Sequence, residues 1–221
     1  ITSAARLWMP LNFTPSRPRN ERPTATASSG RYGWPLASLS LSRRAYLRLL
    51  LLLAPRKKEL AQATWGDVRG DVLITPWERT KSRKQVTKKR AYQTPLVPFA
   101  KSALDSIAPK NEPQPDDPIF PGRSGVSMWP GSQLVRKLVK AGAPAGFTYH
   151  RVRHTVATWL ENEGHDEFDR KLVLNHVAVG GATAGYSHGI ALKRKRMLLR
   201  KWAAHVEGLV NGKRVVGRAP N

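Results

Sequence analysis

Five consecutive leucines within AYLRLLLLLA, with Pro55 close behind them, constrain this chain more than any other stretch. A helix that is apolar on nearly every side has little surface to offer water and belongs in a core. Ser40 or Ser42 supplies the side-chain oxygen that caps its start. Pro55 ends it for want of an N–H, then pre-sets the first turn of a second helix, PRKKELAQA. The leucine run is far too short to cross a bilayer, which takes about 20 apolar residues, and no other run approaches that length. At 221 residues the chain suits one large domain, or one domain plus arms.

The surface around that core carries a heavy positive charge. Lys and Arg number 38 against 15 Asp and Glu, a net charge of +23. A field of that sign calls for a polyanionic partner, and nucleic acid is the usual one. The absence of cysteine excludes disulfides and thiolate metal sites and is compatible with a cytoplasmic location. The sequence opens at Ile1 with no methionine and no signal-peptide pattern, and so reads as a fragment.

Residues 1 to 38 hold five prolines and the run TATASSG without periodicity, the pattern of a linker or extended arm that Trp8, Phe13 and Trp34 could pin to the domain. Farther on, DVLIT and YQTPLVP read as two strands. Between them residues 79 to 90 hold seven basic residues in twelve, a hairpin tip suited to DNA. A loop rich in Pro, Gly and Asp covers 109 to 131, and SQLVRKLVKA at 132 to 141 forms a basic amphipathic helix able to lie on a duplex backbone. The run ALKRKRMLLRKWAAHVEGL puts Leu198, Trp202, Val206 and Leu209 on one face, and NGKRVVGRAPN reads as a tail. The expected fold class is α+β, mainly α, with a small antiparallel β-hairpin or sheet. The expected domain, 39 to 209, lies between an N-terminal arm, 1 to 38, and a C-terminal tail, 210 to 221.

The chemistry concentrates in FTYHRVRHTVATWLENEGHDEFDRKLVLNHVAVGGATAGYSH, residues 147 to 188. Val152, Val156, Trp159 and Leu160 recur at helical spacing, and Arg153 sits at the edge of that stripe. A guanidinium there is costly to desolvate unless it has a permanent carboxylate partner or faces an anion that comes and goes. His150 falls at the helix start, where free N–H groups favour negative charge. Tyr186 stands ten positions after His176, and Gly180 and Gly181 between them make a rigid helix through that segment unfavourable. Arg56 lies in the first turn of the helix after the leucines, again where an anion is favoured; an isolated R-K-K reads more often as surface charge, and its place directly after a buried leucine helix shifts that balance.

HRVRH at 150 to 154 resembles the H-x-x-R-H box of the tyrosine recombinases, the phage integrase family. LNHV with a tyrosine ten positions after its histidine resembles that family's last box, in the variant of prophage and integrative-element integrases. LLLLLAPRKKELAQATWGDV is similar to the segment with the family's first arginine, here Arg56, followed by Glu59 and Trp65. ITPWERTKSRK is similar to the β-turn lysine segment and matches the lysine to Lys81, and PIFPGRSG resembles the L-F-P punctuation. The boxes stand in family order. By itself Lys81 reads as a solvated charge, and the family order alone singles it out from Arg83 and Lys84. A histidine common in the family after this hairpin is replaced by Tyr92 and Gln93.

The resemblance implies the DNA breaking-rejoining catalytic fold and a site-specific recombinase that cuts and rejoins DNA through a 3′-phosphotyrosyl intermediate, integrating or excising a prophage or genomic island. It implies catalytic roles for Arg56, Lys81, His150, Arg153, His176 and Tyr186. The arginines would clamp the non-bridging oxygens and Tyr186 would attack. His150 would take the phenolic proton or bond a phosphate oxygen, His176 would donate to a non-bridging oxygen, and Lys81 would protonate the departing 5′-oxygen. Glu59 is expected as a structural partner for an arginine, and His154 as a structural hydrogen-bonder. Arg79, Arg83, Lys84, Lys88, Lys89, Arg90, Arg136 and Lys137 are the expected DNA-backbone contacts.

The implied partners are double-stranded attachment sites, a homotetramer on DNA that is monomeric when free, and accessory bending and directionality proteins, with no membrane. The family's N-terminal DNA-binding domain is not expected in this sequence. No cofactor is expected. His150 and His154 have the spacing of a zinc pair, but no Glu stands between them as in H-E-x-x-H and no third ligand follows, and no Gly-rich phosphate loop occurs. The helix after Tyr186 packs on its own domain or, as often in the family, docks on a neighbouring protomer. A topoisomerase with the same tyrosine chemistry and a non-catalytic DNA-binding module are the alternative functions.

Overall fold

The computed structural model of the protein describes residues 39–80, 91–122, 125–128, 130–140, 143, 146–176 and 188–210. The leucine run forms α1 (Leu41–Leu53), capped by Ser40, whose hydroxyl accepts the Arg43 N–H at 3.5 Å. Tyr46 and Leu47 and all five leucines from Leu49 to Leu53 are buried, as expected for a helix apolar all round. It stops at Ala54, which turns left-handed (φ 48°, ψ 39°) and returns its N–H to the Leu50 carbonyl at 3.1 Å. An alanine in that conformation costs about 1 kcal/mol, so something must hold the turn.

The second helix, α2 (Lys57–Ala61), is shorter than expected, and Arg56 lies at its N-cap rather than inside its first turn. The Arg56 carbonyl accepts the first helical bond, from Leu60 at 3.0 Å, while its own backbone stays extended. The distal end is drawn away by tertiary bonding. Ile119 donates to the Ala63 carbonyl and Trp65 donates to that of Asp117, both at 3.0 Å, which fastens the 109–131 loop to the region. Phe120 of that loop is fully buried, edge-on to Tyr46 at 5.3 Å.

A 3-10 turn at Trp65–Asp67 leads into an antiparallel sheet in the order β1 (Val68–Arg69), β2 (Val72–Thr75), β3 (Tyr92–Pro95). Leu73 lies opposite Thr94 and Thr75 opposite Tyr92. The two expected strands are present, and the two-residue β1 adds a third. The basic tip at 81–90 lies outside the described residues. Helix α3 (Pro98–Asp105) starts on Pro98 and packs Ala100, Ala103 and Leu104 toward α1. Helix α4 (Ser132–Lys140) buries Leu134 and Leu138 and exposes Arg136, Lys137 and Lys140, the amphipathic division expected of it.

Helices α5 (Tyr149–Asn162), α6 (Glu167–Val173) and α7 (His188–Val210) complete the domain. Thr148 and Asp166 cap α5 and α6 through their side chains. Helix α7 lies across α1, α5, α6 and β3, with Leu198, Leu199, Trp202 and Val206 buried. The Trp202 indole donates to the Leu51 carbonyl at 2.8 Å, so this face is used within its own domain and needs no neighbouring protomer to cover it. The architecture is mainly helical with one small antiparallel sheet, and among the described residues no helix is long and apolar enough to cross a membrane.

Candidate active site

Arg153 lies on the buried face of α5, only 4% exposed, and among the described residues its hydrogen bonds go to main-chain carbonyls and a histidine ring. Its Nη1 donates to the Ala54 carbonyl and its Nη2 to the Leu174 carbonyl at 2.6 Å. Those two acceptors are the C-terminal ends of α1 and α6, where carbonyls lack helical partners and the helix dipoles are negative. Either a carboxylate or a transient anion was expected to offset the burial of this charge. Two helix ends do it instead, and they also explain why Ala54 tolerates its left-handed turn. Burial, then the nearby charge of Arg56, brings the Arg153 guanidinium down to about 10, against an opposing pull from Glu59. It therefore remains charged at neutral pH.

His176 stands beside it. Asn175 takes the left-handed conformation (φ 52°) after α6, and the His176 N–H returns to the Lys171 carbonyl at 2.9 Å, which fixes the backbone of the turn. The His176 Nε2 lies 3.3 Å from Arg153 Nη2. Because a guanidinium only donates, that nitrogen accepts, and the ring proton belongs on Nδ1. Burial, followed by the charges of Arg153, Arg56, His150 and Lys171, holds the imidazole below its ordinary range and hence neutral at pH 7. A neutral ring with Nδ1–H available is a hydrogen-bond donor to an anion.

Arg56 contributes its charge from the α2 N-cap. Its Nη1 donates to Glu59 Oε1 at 3.0 Å, with the arginine side chain 22% exposed and the glutamate buried, the structural pairing expected of Glu59. His150, in the first turn of α5, is exposed and meets the ring of His154 edge to face at 4.5 Å. His154 thus has a ring contact where a hydrogen-bonding role was expected. Beneath lies Tyr149, buried between Tyr46 and Phe147, with the Lys57 ammonium 5.5 Å from its ring centroid. Burial pushes the Tyr149 phenol up to about 12.

Arg56, His150 and Arg153 therefore all lie near enough to His176 for their charges to act on it, and the four come from three segments of the chain. Lys81 and Tyr186 lie outside the described residues, as do Arg83, Lys84, Lys88, Lys89 and Arg90. Arg79 is committed inward: its guanidinium bonds Asp67 and the Gln62 carbonyl and clasps its own segment to the Trp65–Asp67 turn, a bond that competes with any contact to DNA. The cause is Asp67, which caps its own turn through Thr64 and presents its carboxylate to the arginine. Arg136 and Lys137 are exposed on α4.

One group near this site was not anticipated. Lys195, within the basic block of α7, is 2% exposed. Leu198 and Trp202 follow it at the three- and seven-residue spacing of one helix face, a signal that places it inward.

The Phage integrase family profile matches residues 26–189. Comparison with curated proteins finds no match. Among solved structures, the chain is similar to a crystal structure of XerA recombinase, with 18% identity and a TM-score of 0.49 over 87% of this chain and 66% of that one.

Proposed function

This chain belongs to the phage integrase family, the tyrosine recombinases, and from that premise we propose that it cuts and rejoins double-stranded DNA at specific sites, integrating or excising a prophage or genomic island. In this reading residues 39 to 209 are the catalytic domain, between the arm 1 to 38 and the tail 210 to 221. The observation that supports it is that Arg56, from a distant part of the sequence, lies near enough to Arg153 for its charge to act on that guanidinium, with the His176 ring against Arg153.

Two guanidinium groups suit the non-bridging oxygens of one phosphodiester, because the planar fork matches phosphate geometry. Arg153 is pre-aimed by its two carbonyls, so little reorganisation is needed as charge develops. The His176 Nδ1–H supplies a further donor, and His150 accepts the phenolic proton or bonds an oxygen. The Tyr186 oxygen attacks phosphorus, a 3′-phosphotyrosyl bond forms, the bond to the 5′-oxygen breaks, and Lys81 protonates that oxygen. A phenol with an ordinary pKa near 10 is a tolerable leaving group, which makes the step reversible, as strand exchange requires. No cofactor enters. Arg136 and Lys137, with the basic residues Arg83, Lys84, Lys88, Lys89 and Arg90, bind the backbone, with Arg79 contributing if its clasp opens. The partners are attachment-site DNA, three further copies in a tetramer, and accessory bending and directionality proteins. The location is cytoplasmic.

The test is a suicide duplex carrying the attachment site, incubated with the full protein. A covalent adduct that maps to Tyr186 and vanishes in Tyr186→Phe is the expected result. DNA binding with no adduct overturns the catalytic reading in favour of a DNA-binding module. Sequence-tolerant relaxation of supercoils by a monomer overturns it in favour of a topoisomerase.

A further inference from the structure

A buried lysine that donates only to uncharged groups is an expensive feature, and this domain has one beside its arginine pair. Lys195 Nζ reaches the Gln93 carbonyl at 2.9 Å, Thr94 Oγ1 at 3.2 Å and Asn175 Oδ1 at 2.5 Å. Three acceptors match the three N–H bonds of an ammonium. Two belong to β3, and the third belongs to the left-handed residue between Leu174 and His176. The Leu174 carbonyl holds Arg153, and the His176 ring touches it. One side chain thus ties the sheet to the turn on which two of the gathered groups depend.

From this geometry we infer that Lys195 is a positioning residue, which holds His176 against Arg153 by pinning the Asn175 turn to strand β3. The choice of Asn175 fits the role. Glycine is the least strained residue at a left-handed helix terminus, whereas asparagine tolerates the position and adds an acceptor, here used by Lys195. Burial, then the charge of Arg153, pulls Lys195 down to about 7 against an opposing effect of Glu59, so the lysine feels the arginine site directly. Loss of its proton need not break the link. The Thr94 hydroxyl can rotate to donate to the amine while the two remaining N–H bonds keep Gln93 and Asn175.

The importance of this placement for turnover rests on the reading of Arg153 and His176 as phosphate ligands, so two readouts are needed. The first is independent of DNA: the titration midpoint of His176, followed by NMR of the imidazole in the full chain. Asn175→Gly keeps the left-handed backbone easy, removes no charge and deletes only the acceptor. Its His176 midpoint is expected to rise toward the ordinary histidine value as the ring leaves Arg153, and Lys195→Met is expected to do the same. The second is single-turnover adduct formation, expected to fall roughly 10²-fold in either variant, as a misplacement near 1 Å produces, with DNA half-saturation unchanged.

The double variant should be no slower than the worse single one, because both break the same link. An unmoved His176 midpoint in a folded Asn175→Gly protein overturns the inference, as do additive effects on rate. If the wild type forms no adduct while the midpoint still moves, the catalytic reading falls and the positioning role stands.

Discussion

The two arginines of this site are alike in charge and proposed task but are held by opposite means. Arg153 is buried on backbone carbonyls at the ends of α1 and α6, atoms that every residue possesses and that cannot rotate away. Arg56 sits partly exposed at the start of α2 on a carboxylate, that of Glu59, which competes with phosphate for the same guanidinium. The first arrangement makes the arginine part of the fold's construction. The second makes it adjustable. A site that must take and release a phosphodiester is thereby built from one fixed cation and one that can change partners.

The strongest challenge to this contrast is Arg153→Lys. A lysine cannot span both helix ends with a planar fork, so one carbonyl loses its donor. Stability should fall by about 2 kcal/mol, and adduct formation should lose about 3 to 4 kcal/mol of transition-state stabilisation. Urea unfolding and single-turnover cleavage measure the two separately, and an unchanged urea midpoint would refute the constructional role.

Arg56→Lys is the matched experiment. Lysine can keep the pair with Glu59, so stability should move by about 0.5 kcal/mol or less, while the rate falls by roughly 10²-fold for loss of the fork. A drop in stability as large as that of Arg153→Lys would erase the distinction between the two sites.

A further effect comes from pH, and it belongs to the carbonyl-built side. Lys195 releases its proton near 7 in the folded chain, against an ordinary value of 10.5 when unfolded. Between those values the unfolded chain holds the extra proton, so stability rises with pH, by at most about 1.4 kcal/mol per unit. Wild type should gain more than Lys195→Met between pH 7 and 9. Equal slopes would show that Lys195 titrates normally.

Much of this was legible in the sequence for specific physical reasons. The leucine run had one place to go, and Ser40 supplied its cap. Val152, Val156 and Leu160 announced α5, and the alternation of SQLVRKLVK announced α4. Helix α3 hid in the mixed stretch PFAKSALD, and α6 hid although Asp166 and Asp169 stand at capping spacing. The setting of Arg153 was out of reach because its partners are main-chain oxygens, which any sequence would supply. Lys195 was masked by its neighbours: within KRKR, only the phase of Leu198 and Trp202 separates the one inward residue from three that face outward or partly so.

The seating of Trp202 on the Leu51 carbonyl also sets a schedule for biosynthesis. Helix α1 leaves the ribosome early with its leucines uncovered, and α7, which follows every other described element, closes over it late. Until translation reaches α7, the face of α1 that Trp202 covers stays open to aggregation or chaperone capture. A stop codon before Trp202 should therefore yield insoluble protein rather than a smaller working domain.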